Sequence, residues 1–156
     1  MAYFEWADDL VIDQGLIDQD HRHLIELVNT LHTATSQGCG QEVVGRLFQA
    51  LMAYTHEHFL REEQVMASVH FPHLAGHQQV HRQFMADLAA LQSRYEQGSI
   101  TTASQLSSLL RDWLSLHIRR SDRKLRDYLL PPGKWPYTGS DPATCLPAMT
   151  ALGGKE

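Results

Sequence analysis

The chain has only two cysteines, Cys39 and Cys145, and no CxxC pair. This excludes a disulfide framework or a cysteine-built zinc site and fits a reducing compartment. No apolar run approaches the ~20 residues of a membrane span. The N-terminus, MAYFEWADDL, carries three acids where a secretory leader has basic and then apolar residues. A cytoplasmic protein with no membrane span is therefore expected. Positive charge is also scarce. The formal net charge is −5, which argues against a nucleic-acid partner, because phosphate contact needs a basic face. The one basic run, Arg119 to Arg126, sits near the end of a predicted helix, where cations complement the dipole. Proline is nearly absent before residue 131. Five of the six prolines, with four of the ten glycines, fall in 131–156.

What is present is helical periodicity. At 156 residues the chain suits one domain with a substantial core. Four segments repeat apolar residues at three- and four-residue spacing. The first runs from about Asp18, a candidate N-cap, to Gln37, with Ile17, His21, Leu24, Ile25, Val28, Leu31 and Thr35 on one stripe. The second covers about Gln41 to Ala67, and the third starts near Pro72 at a first helical position and ends at Gly98. The fourth follows Ser99-Ile-Thr-Thr and reaches about Leu130. Short connections between long helices favour antiparallel neighbours. The expected fold is all-α, an up-down-up-down four-helix bundle over residues 1–130. Residues 1–17 read as an N-terminal arm packed along the outside of the helices through Phe4, Trp6, Leu10 and Ile12. Residues 131–156 read as a Pro/Gly-rich C-terminal tail, partly ordered through Trp135 and Tyr137.

The chain holds ten histidines, where typical composition gives about three or four. Polar residues interrupt the apolar stripe of every helix. His21 stands among Ile17, Leu24 and Ile25; His58 and Glu62 lie one turn apart, and so do His77 and His81. His117 sits beside Trp113 and Ile118, and Asp122 follows about a turn and a half later. One buried histidine is ordinarily a hydrogen-bonded core residue. Burying seven such groups without compensation costs several kcal/mol each, and a multivalent cation compensates all of them together. Seven ligands exceed one transition ion, so two ions are implied. Mixed imidazole and carboxylate ligation suits iron better than structural zinc. Five imidazoles, two bridging carboxylates and a bridging hydroxide fill every position of two octahedral ions except one. A single vacancy suits a small diatomic ligand.

The motifs Ile17-Asp-Gln-Asp-His21-Arg-His-Leu, His58-Phe-Leu-Arg-Glu62-Glu63, His77-Gln-Gln-Val-His81 and Trp113-Leu-Ser-Leu-His117-Ile-Arg-Arg-Ser-Asp122 resemble those of the hemerythrins, in their single-domain bacterial form. The resemblance covers about residues 3–130, and no ligand position departs from the pattern. It implies an oxo- or hydroxo-bridged pair of non-haem irons that binds O2 reversibly, without enzymatic turnover. His77, His81 and His117 would hold one coordinatively full iron. His21 and His58 would hold the other, which keeps the vacancy, and Glu62 and Asp122 would bridge the pair. Phe59, Trp113, Leu114 and Ile118 would form an apolar oxygen pocket next to His58 and His117. An oxygen-consuming enzyme is the implied recipient, and the bacterial likeness suggests a monomer.

The other histidines, His23, His32, His56, His70 and His73, read as surface or structural groups, and Glu63 as a solvated or outer group. Two further roles fit the same ligands: an oxygen or redox sensor acting through a partner, and a protein handling iron or nitric oxide. A ferritin-like oxidase uses Glu-x-x-His pairs, and this sequence contains none.

Overall fold

A computed structural model describes residues 2–99 and 101–130. The expectations placed on Trp135, Tyr137 and Cys145 lie outside the described residues. Four long helical runs follow one another: α1 (Leu16–Ser36), α2 (Gln41–Ser68), α3 (Leu74–Glu96), and α4 (Thr102–His117), which continues through a π segment (Ile118–Asp122) into α5 (Arg123–Leu129). α1 packs on α2 and α4, and α3 packs on the same two helices from the other side. That is the closed ring of an up-down-up-down bundle, with no strand among the described residues.

The stripes are buried as their spacing requires. Ile17, Leu24, Val28 and Leu31 of α1 face Phe48, Leu51 and Met66 of α2, Phe84 and Leu88 of α3, and Leu106, Leu110 and Leu114 of α4 within one apolar cluster. Hydrophobic burial along these faces holds the bundle together.

Three helix ends share one turn. In each, the backbone N–H groups of the two residues beyond the cap reach back to the last turn: Cys39 to Ala34 O and Gly38 to Thr35 O, Phe71 to Met66 O and His70 to Ala67 O, Ser99 to Arg94 O and Gly98 to Tyr95 O. The motif needs a left-handed residue. Gly38 and Gly98 supply it at φ 69° and 94°, whereas the α2–α3 turn uses His70 at φ 55°.

Two helix starts differ from the sequence expectation. Asp18 is not the N-cap of α1. It lies inside the first turn, and its carboxylate accepts from Ile12 N and Gln14 N, both at 2.8 Å. Asp13, outside the helix, accepts instead from the free N–H groups of Ile17 at 3.0 Å and Asp18 at 3.1 Å. The two aspartates thus lock the arm and the helix start together. Pro72 precedes α3 in a turn, and the helix begins at Leu74. The arm is also more than an outer wrap. Phe4, Leu10 and Ile12 are buried in the core, and Asn29 clamps Phe4 by accepting from its N–H at 2.7 Å and donating to its carbonyl at 2.8 Å.

Candidate metal centre

Each helix contributes to one cluster in the bundle interior. α1 presents His21 and α2 presents His58 and Glu62 from one face. α3 presents His77 and His81 in the same way. α4 ends on His117, and Asp122 closes the π segment. The π segment resolves an awkward spacing. In an α-helix, five residues turn about 500°, leaving side chains about 140° apart. Hydrogen bonds from i to i+5 widen the turn, and Asp122 Oδ1 comes within 3.0 Å of His117 Nε2. All seven residues are buried, none more than 6% exposed, so solvent does not satisfy them.

The ring nitrogens converge in two groups. His21 and His58 bring Nε2 atoms to 3.1 Å of each other, and His81 and His117 do the same. Glu62 divides its oxygens between the groups: Oε1 is 2.6 Å from His77 Nε2, and Oε2 is 3.0 Å from His58 Nε2. Asp122 does likewise, with Oδ1 at 3.3 Å from His77 and Oδ2 at 3.3 Å from His21. Ligand atoms of Glu62, His77, His81, His117 and Asp122 could hold one ion, and those of His21, His58 and Glu62 a second.

The donor atoms fit such ions better than they fit one another. Glu62 Oε2 and both oxygens of Asp122 are buried without a hydrogen bond despite the nearby imidazoles. No ring N–H meets these three oxygens in hydrogen-bond geometry, and a cation between them would satisfy all three at once. The spacing fits as well. Adjacent positions on an octahedral ion with bonds of about 2.1 Å lie about 3 Å apart, against about 3.4 Å on a tetrahedral ion.

Electrostatics point the same way. Burial and mutual repulsion push the Glu62 carboxyl up, but His58 and His77 outweigh them and hold it below its ordinary value. Burial likewise raises Asp122, and His117, His21 and His77 bring it well below the carboxylate range. Burial lowers His58 and His77, but their carboxylate partners lift each to about 9. His81 is held down to about 3, chiefly by burial. Without a metal, protons on His58 and His77 balance the two buried carboxylates.

Beyond the seven, two carboxylates grip the outward ring nitrogens. Glu63 Oε1 lies 2.8 Å from His81 Nδ1, which gives Glu63 an outer role. Asp20 Oδ2 lies 3.2 Å from His58 Nδ1. Sequence reasoning passed over Asp20. The available signal was Tyr54 and Arg61, which share a face of α2 with His58 at the i−4 and i+3 positions. Both donate to Asp20.

The pocket candidates are placed unevenly. Phe59 stacks on His81 with centroids 3.7 Å apart, and Trp113 stacks on His117 at 4.2 Å. Phe59 lies farther from His58, at 5.7 Å. The two large rings therefore cover chiefly the three-histidine group. Leu114 and Ile118 are buried beside His117 in the chain. His23, His56, His70 and His73 are exposed, and His32 stacks on Tyr3 outside the cluster.

Comparison with known proteins agrees with this geometry. The family described as the hemerythrin HHE cation binding domain matches residues 14–129. A bacteriohemerythrin of Stenotrophomonas maltophilia (strain R551-3) is 35% identical over 127 residues, covering 81% of this chain and 82% of the relative. The bacteriohemerythrin of Methylococcus capsulatus is 29% identical over 124 residues, covering 79% and 94%. Myohemerythrin-1 of Phascolopsis gouldii is 27% identical over 126 residues, covering 81% and 94%. A crystal structure of a hemerythrin leucine-to-alanine mutant superposes with a TM-score of 0.71 at 28% identity, covering 80% of this chain and 95% of the other. A bundle whose four helices each aim histidine or carboxylate at one buried cluster, matched over most of its length, belongs to the hemerythrin family.

Proposed function

We propose that this chain binds molecular oxygen reversibly at a pair of non-haem irons, as a carrier or store and not as an enzyme. The observation that carries this reading is the split of each buried carboxylate. Glu62 and Asp122 each turn one oxygen to the three-histidine group and the other to the two-histidine group, as bridging ligands do. His77, His81 and His117 would hold one iron and His21 and His58 the other. By count of donors, the two-histidine iron would keep the open position. When bound, the irons supply the electrons that oxygen takes up on binding and returns on release.

The residues around the ligands keep that exchange from becoming turnover. Phe59 and Trp113, stacked on the three-histidine side, and buried Leu114 and Ile118 would wall the cluster as a whole against the water and protons that drain reduced oxygen from it. Five neutral imidazoles against two carboxylates stabilise the oxidised irons less than a carboxylate-rich site does, which favours release. The proposed working unit is residues 1–130, with 131–156 apart from it. The proposed setting is a cytoplasmic monomer that hands oxygen to an oxygen-consuming enzyme. Among the described residues, no helix is long and apolar enough to cross a membrane.

The test is optical. The iron-loaded protein is reduced without air, given oxygen, then purged. A visible absorption that appears and disappears over repeated cycles is expected. Immediate irreversible oxidation contradicts a carrier and favours a sensor or an enzyme. Metal analysis should give about two irons per chain, and His77→Ala or Glu62→Ala should abolish that loading. Near-full iron in both variants contradicts the ligand assignment.

A further inference from the structure

Asp20 is 4% exposed, and three side chains converge on its carboxylate. Its Oδ2 accepts from His58 Nδ1 at 3.2 Å and from Arg61 Nε at 2.8 Å. Its Oδ1 accepts from the Tyr54 hydroxyl at 2.8 Å and from Arg61 Nη2 at 3.1 Å. Arg61 therefore grips the carboxylate as a two-pronged fork, the geometry that fixes orientation best. A carboxylate that accepts from an imidazole, a hydroxyl and both prongs of a guanidinium is held as its anion.

A buried carboxylate with this many donors fixes the imidazole it touches. In the neutral ring that a metal requires, His58 Nδ1 keeps its proton on Asp20, which leaves Nε2 as the bare donor atom. Nε2 points toward His21 Nε2 and Glu62 Oε2. His21 differs, since its Nδ1 is buried without a hydrogen-bond partner among the described residues. In the two-histidine group, then, one imidazole is oriented and made more basic by an anion and the other is not. Arg61 is 30% exposed in its side chain and also reaches toward Glu57 at 3.6 Å. The chain from His58 through Asp20 to Arg61 thus runs from the buried cluster to the surface.

We infer that Asp20 is a positioning residue that sets the orientation and basicity of His58 at the two-histidine iron, and that Arg61 tempers it by sharing the same carboxylate. The inference rests on His58 being an iron ligand, as proposed above. Outer carboxylates of this kind strengthen ligand donation and stabilise the oxidised metal. Removing Asp20's negative charge therefore raises the reduction potential of the iron pair. Removing Arg61's positive charge frees the carboxylate to pull harder on the His58 proton and lowers the potential. A role limited to packing predicts no such opposition, because both substitutions loosen the same network.

The experiment measures reduction potential and the rate of iron loss to a chelator for the iron-loaded full chain and for Asp20→Asn, Arg61→Gln and His58→Ala. Asp20→Asn keeps the shape of the side chain and should load iron, lose it about 10- to 100-fold faster, and shift the potential upward. Arg61→Gln, at a partly exposed site, should fold normally and shift it downward. Potentials that move in the same direction in both variants, or that stay at the parent value, overturn the inference. If Asp20→Asn does not fold, the downward shift in Arg61→Gln carries the test, and its absence overturns the inference. Full loading in His58→Ala overturns the ligand reading itself and, with it, the role of Asp20, an outcome separable from an unshifted potential in properly loaded variants.

Discussion

Glu62 and Asp122 are the hardest residues in the chain to bury, since both are 0% exposed and each adds a negative charge within reach of the other. Among the described residues their compensation is histidine, and the balance fixes a pH dependence. His58 and His77 rise to about 9 in the metal-free protein, so both carry protons at neutral pH. Iron needs both rings neutral, and loading at pH 7 should release about two protons per chain from the rings, with one more from a water that would become the bridging hydroxide. Titration calorimetry in buffers of different ionisation enthalpy reads that number, and heats that do not depend on the buffer contradict it. The sign for stability follows. Histidines raised above 6.5 contribute stability that is whole below the unfolded value and is lost as pH rises through the folded one. The melting temperature of the iron-free protein should therefore fall between about pH 6.5 and 9, and a flat profile across that window contradicts the assignment.

Among the elements, the π segment is the one on which the centre depends. It lets His117 and Asp122 face the same interior despite a five-residue spacing. Deleting the exposed Arg120 turns this into a four-residue spacing that a plain α-helix also aligns. The deletion should keep iron loading near the parent value, whereas one alanine inserted after Arg120 should abolish it by swinging Asp122 about 100° off the face. Iron analysis of the two proteins decides the matter, and equal loading in both contradicts the register argument. A second element-scale expectation concerns the end of α2, where His70 holds a positive φ. His70→Gly removes that strain and should stabilise the protein by about 1 kcal/mol, read from denaturant unfolding; a less stable variant contradicts it.

What could be read from the sequence follows from where the partners lie. The pairs His58–Glu62 and His77–His81 were legible because one helical turn fixes their direction before any tertiary contact forms. Asp122 was placed with His117 through the family motif and not through helical spacing, since a π turn leaves no periodic mark in one sequence and the spacing reads as a turn and a half. Asp20 was missed because its partner His58 lies on another helix. Asp18 was misread as the cap because which of two nearby aspartates, Asp13 or Asp18, serves a helix start depends on how the arm folds back.

For the whole molecule, the bundle supplies what no single helix can. Four antiparallel faces, closed by buried Phe4, Leu10 and Ile12 of the arm, enclose a polar cluster in an apolar shell, and in the proposed function that shell would keep oxygen exchange apart from water. One open position on the proposed pair of irons would take up oxygen and return it. Gas titration tests it directly: the reduced, iron-loaded protein is exposed to measured oxygen, and the gas recovered on purging is counted against iron. The account predicts about one O2 taken up per two irons and nearly all of it recovered. Uptake of one O2 per iron, or oxygen consumed and not recovered, contradicts it.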